Sequence, residues 1–307
     1  MNLNNFKNKL LDDCNEQELI ELFSFFQSNN KDLIKGIGDD CALCSPVHQS
    51  YDLVYTSDAT IQDIHFIITD SPYGIGNKAV GRVLSDFAAM GAEPCWIIVN
   101  LAIPKDYKVD NLIKIYESMK KLLDGYNASI IGGDLTKSDN LSLNIFGAGK
   151  VLSNSAILRS GALNNDLIYT TGKLGYSDKN KHLNFIPKIK EGKWLRESGF
   201  ITSMIDVTDG LATDLKHLTM SKLGAILYKE NLEKMTTSIK EILYSGEDYE
   251  LLFTVDANKA NELCLKWNKE FNNELYYLGR ITNTLDNIYL DTKGNLELIN
   301  KHGYQHF

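Results

Sequence analysis

Six separate segments of this chain carry carboxylates beside glycine or hydroxyl residues. They are Gly36-Ile37-Gly38-Asp39-Asp40, Thr56-Ser57-Asp58, Leu84-Ser85-Asp86, Gly132-Gly133-Asp134, Asp206-Val207-Thr208-Asp209-Gly210 and Gly246-Glu247-Asp248. A carboxylate at the end of an apolar run must be paired, protonated or metal-bound if the fold buries it. If the fold gathers these segments, the natural occupant is a group of hard divalent cations carrying phosphate oxygens. That points to phosphoryl chemistry. Singly, each segment has a plainer reading. Asp39-Asp40 reads as an exposed turn, Asp58 and Asp209 as helix caps, and Asp86 as the exposed side of a helix. The joint occurrence at six element ends carries the argument.

The common nucleotide and hydrolase motifs are absent. There is no Gx4GK[ST] phosphate loop, no GxGxxG after a strand, no kinase HRD or DFG set, no HExxH and no GxSxG. Basic residues near the acidic segments are few: Lys78, Lys137 and Arg159. Arg159 offers a bidentate phosphate clamp, or alternatively a surface ion pair. His65 reads as a structural donor or a substrate contact. Tyr116 falls on an amphipathic helix and reads as core. The aromatic, glycine-containing end, His302 to Phe307, suggests a tail that folds back.

The elements that must position these residues follow from periodicity. Helices are expected over 16–28, 74–90, 109–126, 211–220 and 257–271. Strands are expected over 52–57, 96–103, 129–131 (followed by a Gly132-Gly133-Asp134 turn), 142–151, 167–171, 201–207, 225–228, 249–255 and 274–280, the last followed by a polar tail. Strands and helices mix without strict alternation, which favours an α+β fold. A boundary is expected near Leu152-Ser153-Asn154-Ser155, dividing the chain into 1–152 and 153–307.

The 307 residues suffice for two ordinary domains, and 43% hydrophobic with 23% charged residues is normal for a globular protein. The formal net charge is −8, with no Lys/Arg-dense stripe, which argues against nucleic acid as partner. Five cysteines, an odd number, argue against a disulfide framework. Cys41 and Cys44 form a CxxC, but no second pair or spaced histidines accompany it, so two small strand residues is the better reading. No apolar leader or membrane-length stretch is read in the sequence, and a reducing cytoplasm is the expected compartment.

The ordered set GIGDDCAL, SD…HF, LSDFAAMGAEP, IIGGDLT, RSGA, TGKLG, IDVTDGL, SGEDYELLFTV and GYQHF resembles the thiamine-monophosphate kinases over nearly the whole chain. The resemblance implies a two-domain fold like aminoimidazole ribonucleotide synthetase. It would have an N-terminal α/β domain with a dimerising sheet and a smaller C-terminal α+β domain, assembled as a homodimer. It implies phosphorylation of thiamine monophosphate to thiamine diphosphate by ATP with several magnesium ions. Magnesium contacts are implied at Asp40, Thr56, Ser57, Asp58, Asp86, Asp134, Asp206 and Asp209. ATP contacts are implied at Tyr116, Gly133, Arg159 and Thr208. Thiamine monophosphate contacts are implied at His65, Glu247 and Tyr304. The acceptor is a phosphate, already anionic at neutral pH, so no general base and no covalent nucleophile is expected. The alternatives are another ATP-using enzyme of the same superfamily, or a non-catalytic nucleotide-binding regulator.

Four departures from the family pattern stand out. Asp63 occupies the place of a glycine, and Val83 that of an asparagine. The GGD segment continues as Leu135-Thr136-Lys137. The stretch after Gly175 is shortened, and an HLRP pattern has become His182-Leu183-Asn184-Phe185-Ile186-Pro187.

Overall fold

The computed structural model describes residues 33–35, 39–44, 50–177, 181–219, 222–235, 238–284, 287–299 and 303. The expected helix over 16–28 and Tyr304 lie outside them.

The first half supplies strands β1 (Leu33–Lys35), β2 (Ala42–Cys44) and β3 (Tyr51–Ile61), helix α1 (Pro72–Ala89), β4 (Glu93–Ile103), helix α2 (Val109–Asp124), β5 (Ser129–Lys137) and β6 (Ser142–Leu152). Its six strands are ordered β1-β2-β3-β6-β4-β5. Only β4 and β5 run parallel, which the α2 crossover makes possible. One sheet face is covered by α1 and α2. Helix α1 has Pro72 in its first turn, where a missing N–H costs nothing, and small residues along its buried side. A Cβ on Gly76 would stand 2.2 Å from the Ile115 carbonyl oxygen, so α1 and α2 touch backbone to backbone.

The second half supplies β7 (Leu167–Thr170), α3 (Lys181–Asn184), α4 (Ile189–Ser198), β8 (Ile201–Asp206), α5 (Leu211–Thr219), β9 (Gly224–Tyr228), α6 (Lys229–Leu232), α7 (Ile239–Tyr244), β10 (Leu251–Val255), α8 (Ala260–Glu270), β11 (Tyr276–Thr282), β12 (Ile288–Thr292) and β13 (Asn295–Leu298). The seven strands are ordered β13-β12-β9-β11-β7-β10-β8. Two apolar cores result. One runs from the α1 side of the first sheet, through Phe87 and Met90, to Met204, Phe253 and Trp267 of the second half. The other lies around α5, with Leu211, Leu215, Ile242 and Leu278. The halves therefore pack on each other through α1 and α4 rather than hanging on a linker.

The α+β expectation holds, and three local expectations do not. β3 continues to Ile61, so Asp58 lies inside a strand and not at its end. Gly132-Gly133-Asp134 is the middle of β5, not a turn, paired alongside Val99 and Asn100 of β4. The chain after β11 forms the hairpin β12–β13 instead of a polar tail, and β12 pairs in parallel with β9.

Candidate active site

Three carboxylates from three distant segments meet where the halves join. One oxygen each of Asp40, Asp86 and Asp206 lies within 4.8 Å of the others. Asp40 precedes β2, Asp86 sits near the end of α1, and Asp206 ends β8. A strand end, a helix face and a pre-strand turn thus aim acids at one point. Each carboxylate has a local anchor. Thr56 Oγ1 donates to Asp86 Oδ2 at 2.5 Å, and Ser85 Oγ donates to Asp206 Oδ2 at 2.5 Å. Arg159 donates through Nε and a terminal nitrogen to the two oxygens of Asp40, both at 2.8 Å. This is the bidentate fork that suits carboxylate or phosphate.

Crowding acids with so little water raises their affinity for protons. Burial, and then Asp40 beside it, push Asp206 up to about 8. Burial, then Asp206, Asp58 and Asp40, hold Asp86 well above the usual carboxylate range. Burial and Asp40 push Asp39 up to about 6, and its buried Oδ2 has no hydrogen-bond partner. Such a cluster is unfavourable as bare anions and suited to a hard divalent cation, whose oxygen ligands these are. The donor set fits magnesium.

The metal would have to displace the Asp206 proton, so magnesium affinity should rise from pH 6 toward pH 8 and level off above it. Calorimetric titration with Mg2+ at pH 7, in two buffers of different ionisation heat, should show proton release. Heats independent of the buffer would contradict the assignment.

The remaining expected residues divide. Thr56 and Asp58 alternate with exposed Ser57, so Ser57 faces the other side of the sheet, where Phe146 stands opposite it. Asp58 accepts from Arg82 on α1 at 2.7 Å. Thr208 and Asp209 form the turn after β8, and both their N–H groups donate to Asp214 Oδ2 at 3.1 Å. Asp209 is therefore part of a turn held by another carboxylate. Asp134 is exposed on edge strand β5 and accepts from Thr136. Strands β6 and β4 separate it from β3, so it stands roughly 14 Å from Asp58, three strand spacings away. It does not join the cluster. Instead Gly133 and Asp134 line a groove of about 500 Å³ with Tyr116, Leu112, Ile113 and Ile130. Tyr116 is thus a groove wall as well as core, an outcome its helical spacing did not reveal.

The His65 backbone and Glu247 come together through Lys78, to which the sequence assigned no role, while the His65 ring accepts from the Ile61 N–H at 3.0 Å. Lys78 of α1 donates to the His65 carbonyl at 2.5 Å and pairs with Glu247 Oε1 at 2.5 Å. Asp63, in the place of the family glycine, has φ 64, the left-handed conformation that favours glycine. Sequence reasoning also missed Arg82 and Asp214. The signal for Asp214 was a carboxylate in the first turn of a helix, able to reach back to orphan N–H groups. Arg82 carried no sequence signal beyond lying on the face of α1 that also holds Asp86.

Gly246 shows how closely the site is closed. A Cβ there would stand 2.1 Å from the Thr208 carbonyl oxygen, and one on Gly303 would stand even closer to the Asp209 carbonyl. The Gly303 N–H donates to Thr213 Oγ1 at 2.8 Å, which brings Gly303 to the same turn. Gly246→Ala should lower Tm by several degrees, because rigid backbone opposes the new methyl group. An unchanged Tm would mean that the turn can move aside.

Comparison with known proteins identifies the family and the fold. Residues 38–151 match the model of the AIR synthase related protein, N-terminal domain, and residues 138–289 that of its C-terminal domain. A thiamine-monophosphate kinase of Buchnera aphidicola subsp. Schizaphis graminum is 34% identical, over 95% of this chain and 99% of its own. The crystal structure of thiamine-monophosphate kinase from Stenotrophomonas maltophilia K279a superposes with TM-score 0.73 at 27% identity, covering 90% of this chain and 96% of that one. A structure described as AaThiL complexed with AMPPCP and TMP gives TM-score 0.83 over 98% of this chain and all of that one. At 24% identity it speaks for the fold alone.

Proposed function

The chain belongs to the AIR synthase-related proteins and, among them, to the thiamine-monophosphate kinases, and on that premise we propose that it transfers the γ-phosphoryl group of ATP to thiamine monophosphate, giving thiamine diphosphate. The observation that carries the reading is the meeting of Asp40, Asp86 and Asp206 from both halves of the molecule within 4.8 Å. A kinase joining two phosphates must overcome their repulsion, and carboxylates that gather magnesium are the means.

In this reading Asp40, Asp86 and Asp206, with Asp58, Thr56 and Asp209 at their edge, hold several magnesium ions. Bound there, magnesium would screen charge and align the in-line transfer. Ser57 and Asp134 complete the set only from outside the cluster: Ser57 from the other sheet face, Asp134 across the sheet. The groove beside Tyr116 and Gly133 takes the nucleoside of ATP, with Asp134 at its rim. Arg159, now on Asp40, and the Thr208 turn face the phosphates. His65 and Glu247 line the acceptor side, and Tyr304 is assigned there too. The acceptor oxygen is already anionic at neutral pH, so no side chain needs to remove a proton, and none is assigned as a nucleophile.

The division at 1–152 and 153–307 fits the end of β6 at Leu152. A homodimer across the first sheet is supported by its exposed large apolar side chains, Tyr51, Trp96, Ile131 and Phe146. Among the described residues, no helix is long and apolar enough to cross a membrane. We place the protein in the cytoplasm.

The test is ADP release with thiamine monophosphate against free thiamine. ADP formation with thiamine monophosphate and not with thiamine is the expected result. Release with neither, under magnesium and ATP, would favour another activity of the superfamily or a nucleotide-binding regulator.

A further inference from the structure

Lys78 exposes no surface to solvent, yet it carries an ammonium group in the middle of α1. An ammonium has three hydrogens, and three acceptors surround this one. They are the His65 carbonyl oxygen at 2.5 Å, His182 Nδ1 at 2.9 Å and Glu247 Oε1 at 2.5 Å. The three come from the loop after β3, from α3, and from the turn between α7 and β10. A buried ammonium without partners would cost several kcal/mol, so this arrangement is held together as a unit.

The geometry couples the protonation of its members. His182 Nδ1 lies 3.5 Å from Glu247 Oε2 as well. With Lys78 as an ammonium donating to Nδ1, that nitrogen accepts and the neutral imidazole carries its proton on Nε2. Burial, then Lys78, lower the His182 pKa in the same sense. The contact with Glu247 Oε2 is therefore proximity, not an ion pair.

Glu247 is held from inside and open outside. Its backbone is left-handed, with φ 63, and Gly246 before it is pressed on the Thr208 carbonyl. Its side chain remains 34% exposed while Oε1 is bound to the buried Lys78. The segment carrying His182 is docked separately, because Asn77 Nδ2 donates to the carbonyls of Leu183 and Phe185 at 3.2 and 3.0 Å. Lys78 therefore orients the His182 ring and the Glu247 carboxylate rather than anchoring their backbones.

We propose that Lys78 is a positioning residue for the acceptor substrate, setting Glu247 and His182 so that the Glu247 carboxylate faces the cationic heterocycle of the acceptor. This rests on the acceptor-side role given to Glu247 above. The ammonium also balances the carboxylate, so the acceptor meets an oriented pair and not a free charge.

Steady-state kinetics separate this role from a structural one. Thiamine monophosphate is varied at saturating magnesium-ATP, then ATP at saturating thiamine monophosphate. The proteins are the wild type, Lys78→Met, Glu247→Gln and the double variant. Each single change should raise KM for thiamine monophosphate about tenfold or more, with KM for ATP within about twofold. The double variant should be no worse than the worse single one, since both remove one unit. His182→Ala, on a half-buried segment, keeps the buried ammonium and covers the case in which Lys78→Met does not fold. It should raise the same KM several-fold and spare that for ATP. If Glu247→Gln acts but neither Lys78→Met nor His182→Ala does, or if they raise both KM values alike, the positioning role is overturned. If Glu247→Gln itself leaves KM for thiamine monophosphate unchanged, the acceptor-side placement of Glu247 has failed, and the proposal falls with it.

Discussion

Asp206→Asn is expected to lower kcat by about a hundredfold or more while leaving Tm unchanged or raising it. The two directions have one cause. Asp206 is buried beside Asp40, and its carboxyl is pushed up to about 8. Without metal, the folded protein keeps this group protonated near neutral pH or bears the cost of a second buried anion. Asparagine has the same shape and no charge to repel, and its amide oxygen can still accept from Ser85 Oγ. Folding thus loses little. Phosphoryl transfer loses a metal-binding charge where the two anionic reactants must meet. Stability bought at the expense of activity is the signature of a site built for charge. Near-wild-type turnover, or a clear fall in Tm, would contradict it. Circular dichroism melts and the ADP assay on one preparation suffice.

Arg159→Ala should act in the opposite sense on stability. Its side chain is 23% exposed and donates twice to Asp40, whose side chain is fully buried. Removing one partner of a buried pair leaves an uncompensated charge, at about 3–5 kcal/mol for full burial. Discounted for the exposed part of the arginine, a loss of roughly 2–3 kcal/mol is expected, or about 3–5 °C in Tm. The neighbouring acids make the loss worse, because Asp39 and Asp206 then face Asp40 without the guanidinium. Catalysis should fall as well, chiefly in kcat/KM for ATP. Arg159→Lys should recover part of the stability but little of the activity, since an ammonium cannot reproduce the fork. Equal recovery of both would argue that Arg159 serves only as a counter-charge to Asp40.

The paired effects of these substitutions bear on what was legible in the sequence. The six acidic segments were visible because carboxylates beside glycine are poor core material, and carboxylates from three of the six do converge in one cluster. Asp134 was misread locally. Two consecutive glycines read as a turn, but β5 is an exposed edge strand, where glycine costs less and Gly133 can approach Val99 closely. Ser57 entered only through the family resemblance, and the two-residue alternation of β3 turns its side chain to the other sheet face. The short helices α3, α6 and α7 have too few residues to show periodicity, and their placement comes from tertiary contacts. β12 and β13 follow a Thr-Asn-Thr stretch that looked like a frayed end, and only pairing with β9 makes them a sheet. Arg82 was the hardest to see, and Lys78 was visible beside the acidic segments but not as a buried contact. A lysine in a helix reads as solvated by default, and nothing in its neighbours announces that two segments from the far half will cover it.

In the proposed mechanism, acids from both halves hold magnesium together at one point. Manganese, which takes the same oxygen ligands, can be soaked with a non-hydrolysable ATP analogue into crystals and located by its anomalous scattering. The account predicts a peak in contact with the carboxylates of Asp40, Asp86 and Asp206. Manganese bound only elsewhere, with those three side chains still bonded to Arg159, Thr56 and Ser85 alone, would contradict it.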